Sequence, residues 1–314
     1  MLNDFKEEMN SLFNDANLED ELYKHYKPKM LYLNTDKGIE AYNTDTFELV
    51  EDESYMEEDH ILLAKHKNLL FIHHLIDEEH ISKLILFDVE TNTQHQLVRD
   101  FSLDCGIQLL KIYGTKYYIG TSVGSVYCFD ILTHEHLWLI KSGTDSVSSI
   151  NIKDDKILIG LEGRVDFYNL ETQIYINHID YSGNIVGITN NKLFALRGST
   201  MLTYDMVDDY KENIFETGRM SCAFLTDECL IIGYADGNIS LWDPTTLIKI
   251  NTFKICENVI ANITLKDGKI YCLDIFELLK DGYISNIYII DLISGNNLHT
   301  FRFNTFLREN MFVY

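Results

Sequence analysis

Histidine, cysteine and carboxylate are the side chains of this 314-residue chain that could carry chemistry, and their spacing argues against most of it. His73 and His74 are adjacent in the apolar run FIHHL. On a strand, neighbours point to opposite faces, so the two cannot ligate one metal together. His134 and His136 flank Glu135 in a turn-like stretch, a surface pair without the further ligands a zinc site needs. None of the six cysteines forms a CxxC pair, and runs such as VYCFD and IYCLD read as buried thiols of a reducing compartment. GTSVGS from Gly120 is flanked by strand-like residues, with no helix to follow, and so is a poor phosphate loop. Carboxylate pairs sit in polar stretches, where nothing would raise their acidity constants. The sequence therefore names no catalytic residue, no cofactor and no metal ligand.

What remains is charge. Forty-nine acidic against 26 basic side chains give a net charge of −23, which excludes binding to a nucleic-acid backbone or an anionic membrane as the main activity. It permits a basic protein partner. Residues 1–60 carry 17 acids and 5 bases. Six of those acids fall among the nine residues Glu51, Asp52, Glu53, Ser54, Tyr55, Met56, Glu57, Glu58 and Asp59.

The elements that position these groups come from an internal repeat. AYNTDTFELV from Ala41 has six relatives: LFDVETNTQHQLV, CFDILTHEHLWLI, FYNLETQIYINHI, TYDMVDDYKENIF, LWDPTTLIKINTF and IIDLISGNNLHTF. Their shared Asp or Asn positions are Asn43, Asp88, Asp130, Asn169, Asp205, Asp243 and Asp291, at successive gaps of 45, 42, 39, 36, 38 and 48 residues. Two further strand-like runs precede each copy, for example SCAFL and CLIIGY before LWDPTT. A meander this apolar on both faces cannot stand alone, and radial repetition of four-stranded units is the pattern of a β-propeller. The repeated Asp or Asn is a turn residue whose short acceptor side chain bonds backbone N–H groups just downstream.

GYADGNISLWDPTTLIKINTF resembles a WD repeat, and VYCFDILTHEHLWLIKSG resembles a PQQ-like (quinoprotein) repeat, with Trp138 where that family has its blade-packing tryptophan. The resemblance spans roughly Met30 to the C-terminus. Gly-His opens no repeat, Trp-Asp occurs once, and the glycine typical after the turn threonine is His134 in the third copy. It implies an all-β, seven-bladed propeller of four-stranded antiparallel blades over residues 29–314. ENMFVY should close it as the innermost strand of the first blade, removing an open edge. Residues 1–28 form a separate extension in which Leu2, Phe5, Met9, Leu12 and Phe13 recur at helical spacing, predicting a short amphipathic α-helix. The charge-interrupted start is no secretory signal, and no apolar run reaches the ~20 residues of a membrane span, so a cytoplasmic location is expected.

In such a ring, outer-to-inner connections and middle turns emerge on one face. Glu51–Asp59 would meet Asp77, Glu78, Glu79, Asp100 and Asp104 there, with Tyr55 and Met56 as apolar anchors among the acids. The expected function is a non-catalytic scaffold or adaptor binding a basic protein through this acidic face, in its sharper form an inhibitor or immunity-type protein. The alternative is an enzyme or cofactor-binding quinoprotein-like propeller that uses its central channel. Convergent histidines, arginines and acids in the channel would favour the alternative, and small or apolar groups the scaffold.

Overall fold

The computed structural model describes residues 30–35, 38–50, 60–66, 69–76, 81–89, 93–96, 106–180, 184–206, 212–278, 282–303 and 311–313. Two strands, β1 (Met30–Thr35) and β2 (Gly38–Asn43), precede six four-stranded blades. Blade 1 holds β3 (His60–His66), β4 (Leu69–Ile76), β5 (Ile81–Asp88) and β6 (Thr93–Gln96). Blade 2 holds β7 (Ile107–Tyr113), β8 (Lys116–Thr121), β9 (Ser125–Asp130) and β10 (His136–Lys141). Blade 3 holds β11 (Ser149–Lys153), β12 (Lys156–Leu161), β13 (Arg164–Asn169) and β14 (Tyr175–Asp180). Blade 4 holds β15 (Asn184–Thr189), β16 (Lys192–Arg197), β17 (Thr200–Asp205) and β18 (Glu212–Thr217). Blade 5 holds β19 (Met220–Leu225), β20 (Leu230–Tyr234), β21 (Asn238–Trp242) and β22 (Lys249–Lys254). Blade 6 holds β23 (Ile260–Lys266), β24 (Lys269–Leu278), β25 (Gly282–Asp291) and β26 (Asn297–Phe303). The last strand, β27 (Met311–Val313), pairs antiparallel with β1 and completes a three-stranded closing sheet in the order β2-β1-β27.

The first strands of successive blades pack side by side, β3 on β7, then β11, β15, β19, β23 and finally β27, while β3 also touches β1 and β2. They ring the axis. Both faces of each sheet are apolar because both meet a neighbour. On β8, Tyr117 and Ile119 pack toward blade 1, whereas Tyr118 packs toward blade 3. Seven apolar clusters occupy the successive interfaces. The last two join Leu31 and Leu33 to Tyr271 and Phe301 of blade 6, and Tyr32 and Ile39 to Leu62 and Ile85 of blade 1.

Seven four-stranded blades are not found: among the described residues six sheets have four strands and the closing sheet has three. Phe47 has a left-handed φ of 62° and stacks on His299 of blade 6 at 4.1 Å. Beyond β2 the described residues add only an isolated bridge between Leu49 and Tyr42. No helix occurs among the described residues, and the amphipathic helix expected at the N-terminus lies outside them. The expectation of a seven-bladed propeller of four-stranded blades is corrected accordingly.

The repeated turn residue has the local role read from the sequence. Asn43, Asp130, Asn169 and Asp243 each accept two backbone N–H bonds from the residues two and three positions on, at 2.7–3.1 Å. Asp291 accepts the Ser294 N–H at 2.7 Å. Each turn closes on a left-handed residue: Phe47, His134, Gln173, Leu247 and Gly295. Only the last is glycine. Two of the others are anchored by packing or hydrogen bonds, Phe47 on His299 and Gln173 through Nε2 to the carbonyls of Leu170 and Glu171.

Candidate functional site

Every residue assigned to the acidic face (Glu51, Asp52, Glu53, Tyr55, Met56, Glu57, Glu58, Asp59, Asp77, Glu78, Glu79, Asp100 and Asp104) lies outside the described residues. The described strand ends that these segments join are Val50 and His60, Ile76 and Ile81, and Gln96 and Gly106. His60 pairs with His74 near the end of β4, and Ile76 pairs with Ile81. His60, Ile76 and Ile81 therefore belong to one end of blade 1. Gly106 follows the outer-to-inner connection that reaches the same end of blade 2, where its N–H and carbonyl both bond Ser122 at 3.0 Å.

At that end lies a recess of about 520 Å³ lined by Leu63, Gln108, Leu109, Leu110, Ser146, Val147 and Ser148. Two of these side chains reach it because the inner strands bulge. The β3–β4 register slips between Leu62 and Ala64, and the β7–β8 register between Ile107 and Leu109, so Leu63 and Gln108 drop out of their ladders. A bulge re-aims a side chain in this way. The opposite wall, Ser146 to Ser148, belongs to the connection from blade 2 to blade 3. It is held by Val147 N–H to the Thr121 carbonyl at 2.9 Å and Ser148 N–H to the Gly160 carbonyl at 2.8 Å. Gly120 permits the close approach, since a Cβ there would come within 2.7 Å of Val147 Cγ1.

Among the described residues the lining is four aliphatic side chains, one amide and two hydroxyls. Asp145, exposed, borders it through Ser146. Lys111 follows Leu110 on β7 and keeps contact with water, yet desolvation pushes its ammonium below the usual lysine value.

Beside the recess, a buried polar network ties the same connection to blade 3. The Ser142 hydroxyl donates to the Asp166 carboxylate, the Tyr168 hydroxyl donates to Ser142 Oγ at 3.1 Å, and Arg164 bonds both the Ser142 carbonyl and Asp166. Blade 6 repeats the device. Asp274, fully buried, accepts from the Asn258 and Asn286 amides at 2.9 and 2.8 Å and from the Tyr288 hydroxyl at 3.2 Å. All acceptors in both networks are engaged in fastening loops, which makes them structural.

The remaining chemistry-bearing groups are quiet. His73 is buried, and desolvation together with neighbouring His74 pushes its pKa down to about 4, so it is neutral at physiological pH. His74 stacks instead on His60 across the strand pair at 4.4 Å. His136 lies edge-on to Phe129 at 5.3 Å. Cys128, Cys222, Cys229, Cys256 and Cys272 form no disulfide, and burial raises the thiol pKa of Cys128 and Cys256 to about 11. Among the described residues no group of three or more His, Cys, Asp or Glu could hold a metal ion, and no helix is long and apolar enough to cross a membrane.

The recess was missed in the sequence because its walls come from two blades and the connection that follows them. Ser146, Val147 and Ser148 lie in a plain polar-looking connection, and Gln108 is distinguished only by a bulge that no local pattern announces.

No protein-family model and no curated protein matches the chain. Solved structures do. The computationally designed Ika8 protein superposes with a TM-score of 0.63 at 14% identity, over 88% of this chain and 85% of that one. The β-propeller domain of Cps50 (Swd1) from Myceliophteria thermophila superposes with a TM-score of 0.51 at 14% identity, over 62% of this chain and 72% of that one. At that identity the likeness establishes architecture, and the chain is a β-propeller.

Proposed function

We propose that this propeller is a non-catalytic protein-binding module whose acidic connections, Glu51–Asp59, Asp77–Glu79, Asp100 and Asp104, receive a basic protein partner. The observation that carries the reading is the concentration of charge: six acids in nine residues, in a chain of net charge −23, at a connection leading into an inner strand. Opposite charge draws a basic partner in and speeds encounter. In its sharper form, the partner is a basic toxin or nuclease held off by carboxylates standing in for phosphates.

The test compares immobilised wild-type protein with a variant in which Glu51, Asp52, Glu57, Glu58 and Asp59 are all changed to Lys. Proteins captured by each are identified by mass spectrometry. The reversed variant should lose the basic proteins that the wild type retains while melting at nearly the same temperature. Identical capture by both would remove the acidic-face reading.

A further inference from the structure

We infer that β27 is a displaceable latch, and that the inner edge of β1 is an acceptor site for an extended partner segment whose apolar residues follow the order Met311, Phe312, Val313. The inference does not depend on the acidic face. What fits this edge is shown by what occupies it: β27 lies antiparallel on β1, pairing Val313 with Leu31, Phe312 with Tyr32 and Met311 with Leu33. That ladder is short. Three residue pairs join β27 to β1, whereas five or six join the first two strands of every blade.

Nor is β27 what seats β1. Leu31 and Leu33 pack on Tyr271, Leu273 and Ile289 of blade 6, while Tyr32 packs with Leu62 and Ile85 of blade 1. β2 pairs with all six residues of β1, and the Asn34 side chain bonds both the N–H and the carbonyl of Leu62. The closing sheet thus stays between its neighbours when its last strand leaves, and a terminal element of this kind opens at a free energy far below that of the whole fold. Opening frees backbone N–H and C=O groups along Leu31 to Leu33, which another extended strand satisfies. Selectivity follows from alternation. Leu31, Tyr32 and Leu33 are all buried, so an incoming strand meets aliphatic, aromatic and aliphatic neighbours in turn, the order that Met311, Phe312 and Val313 match. A polar residue in their place would be set beside buried apolar ones.

The test keeps the full-length chain and uses a fluorescein-labelled peptide of residues 309–314 as the partner segment, read by anisotropy. In a variant combining Met311→Gly, Phe312→Gly and Val313→Gly, the chain's own strand no longer competes. The peptide should then bind about tenfold or more tightly than to wild type, because the acceptor edge is open in a larger fraction of molecules. Bound peptide should slow hydrogen exchange in residues 30–35 of the variant, located by mass spectrometry. A peptide with Ser at all three positions should not bind. In the wild-type protein, residues 311–314 should exchange about tenfold or more faster than residues 156–161 of β12. Binding to the variant that is absent or no tighter than to wild type, equal binding of the Ser peptide, unchanged exchange in residues 30–35, or exchange of 311–314 as slow as that of β12 would overturn the inference. Global unfolding of the variant would overturn it too, since a strand whose loss unfolds the ring is no latch.

Discussion

Asn34 and Leu62 are joined by two hydrogen bonds: the Asn34 side-chain amide donates to the Leu62 carbonyl at 3.2 Å, and its oxygen accepts the Leu62 N–H at 2.8 Å. One side chain thereby acts as a strand segment, fastening the closing sheet to blade 1 where the β3 bulge begins. Asn34 is buried, so nothing else replaces those bonds if it is removed. Asn34→Ala should cost about 2–4 kcal/mol by leaving two backbone groups unpaired. Urea denaturation of wild type and variant measures this. A loss below about 0.5 kcal/mol would show that the ring is held elsewhere.

The left-handed turn positions make opposite predictions at two sites. At Gly295, φ is +70° and a Cβ would overlap the Phe253 ring, so Gly295→Ala should destabilise by about 2 kcal/mol or more. His134 holds the equivalent position at φ 58° with a side chain, and His134→Gly should stabilise by about 0.5–1 kcal/mol. Calorimetric melting of both variants decides the matter. The same sign for both would mean that backbone strain does not govern these turns.

Stability should fall with acid through the turn aspartates. Backbone N–H groups of Thr133 and Leu132 hold Asp130 below the usual carboxylate range, those of Thr246 and Thr245 do the same for Asp243, and Ser294 does so for Asp291. A folded pKa below the unfolded one gives stability that is present above the unfolded value, near 3.9, and lost as pH drops through the folded one. Asn43 and Asn169 make the same turn without a titrating group. The triple substitution Asp130→Asn, Asp243→Asn and Asp291→Asn should therefore flatten the decline. Urea midpoints collected between about pH 6 and pH 3 test it, and an unchanged slope would reject the assignment.

Native thiols should be sluggish. With the Cys128 and Cys256 pKa values raised to about 11, and Cys272 raised well above the usual thiol value by complete burial, few thiolates exist at pH 8. These three should react with a disulfide reagent such as DTNB only after denaturation. Rapid labelling of any of them in the folded protein, located by peptide mass spectrometry, would contradict their buried environment.

Sequence by itself determined whatever depends on neighbours a few residues apart. The Asp or Asn turns close through bonds spanning two to four residues, so their repetition was visible as composition, and with it the ring of meanders. Apolar strands such as KYYIG on β8 announced burial on both faces because alternate side chains serve different interfaces. Tertiary structure alone decided the rest. FELV reads as a strand, but among the described residues it makes only an isolated bridge to Tyr42, while Phe47 stacks on His299, some 250 residues away in the chain. The Asn34–Leu62 clasp and the recess between Leu63, Gln108 and Ser148 likewise join residues that become neighbours only once the ring has closed. Long-range packing, carrying no period along the chain, left no trace there to be read.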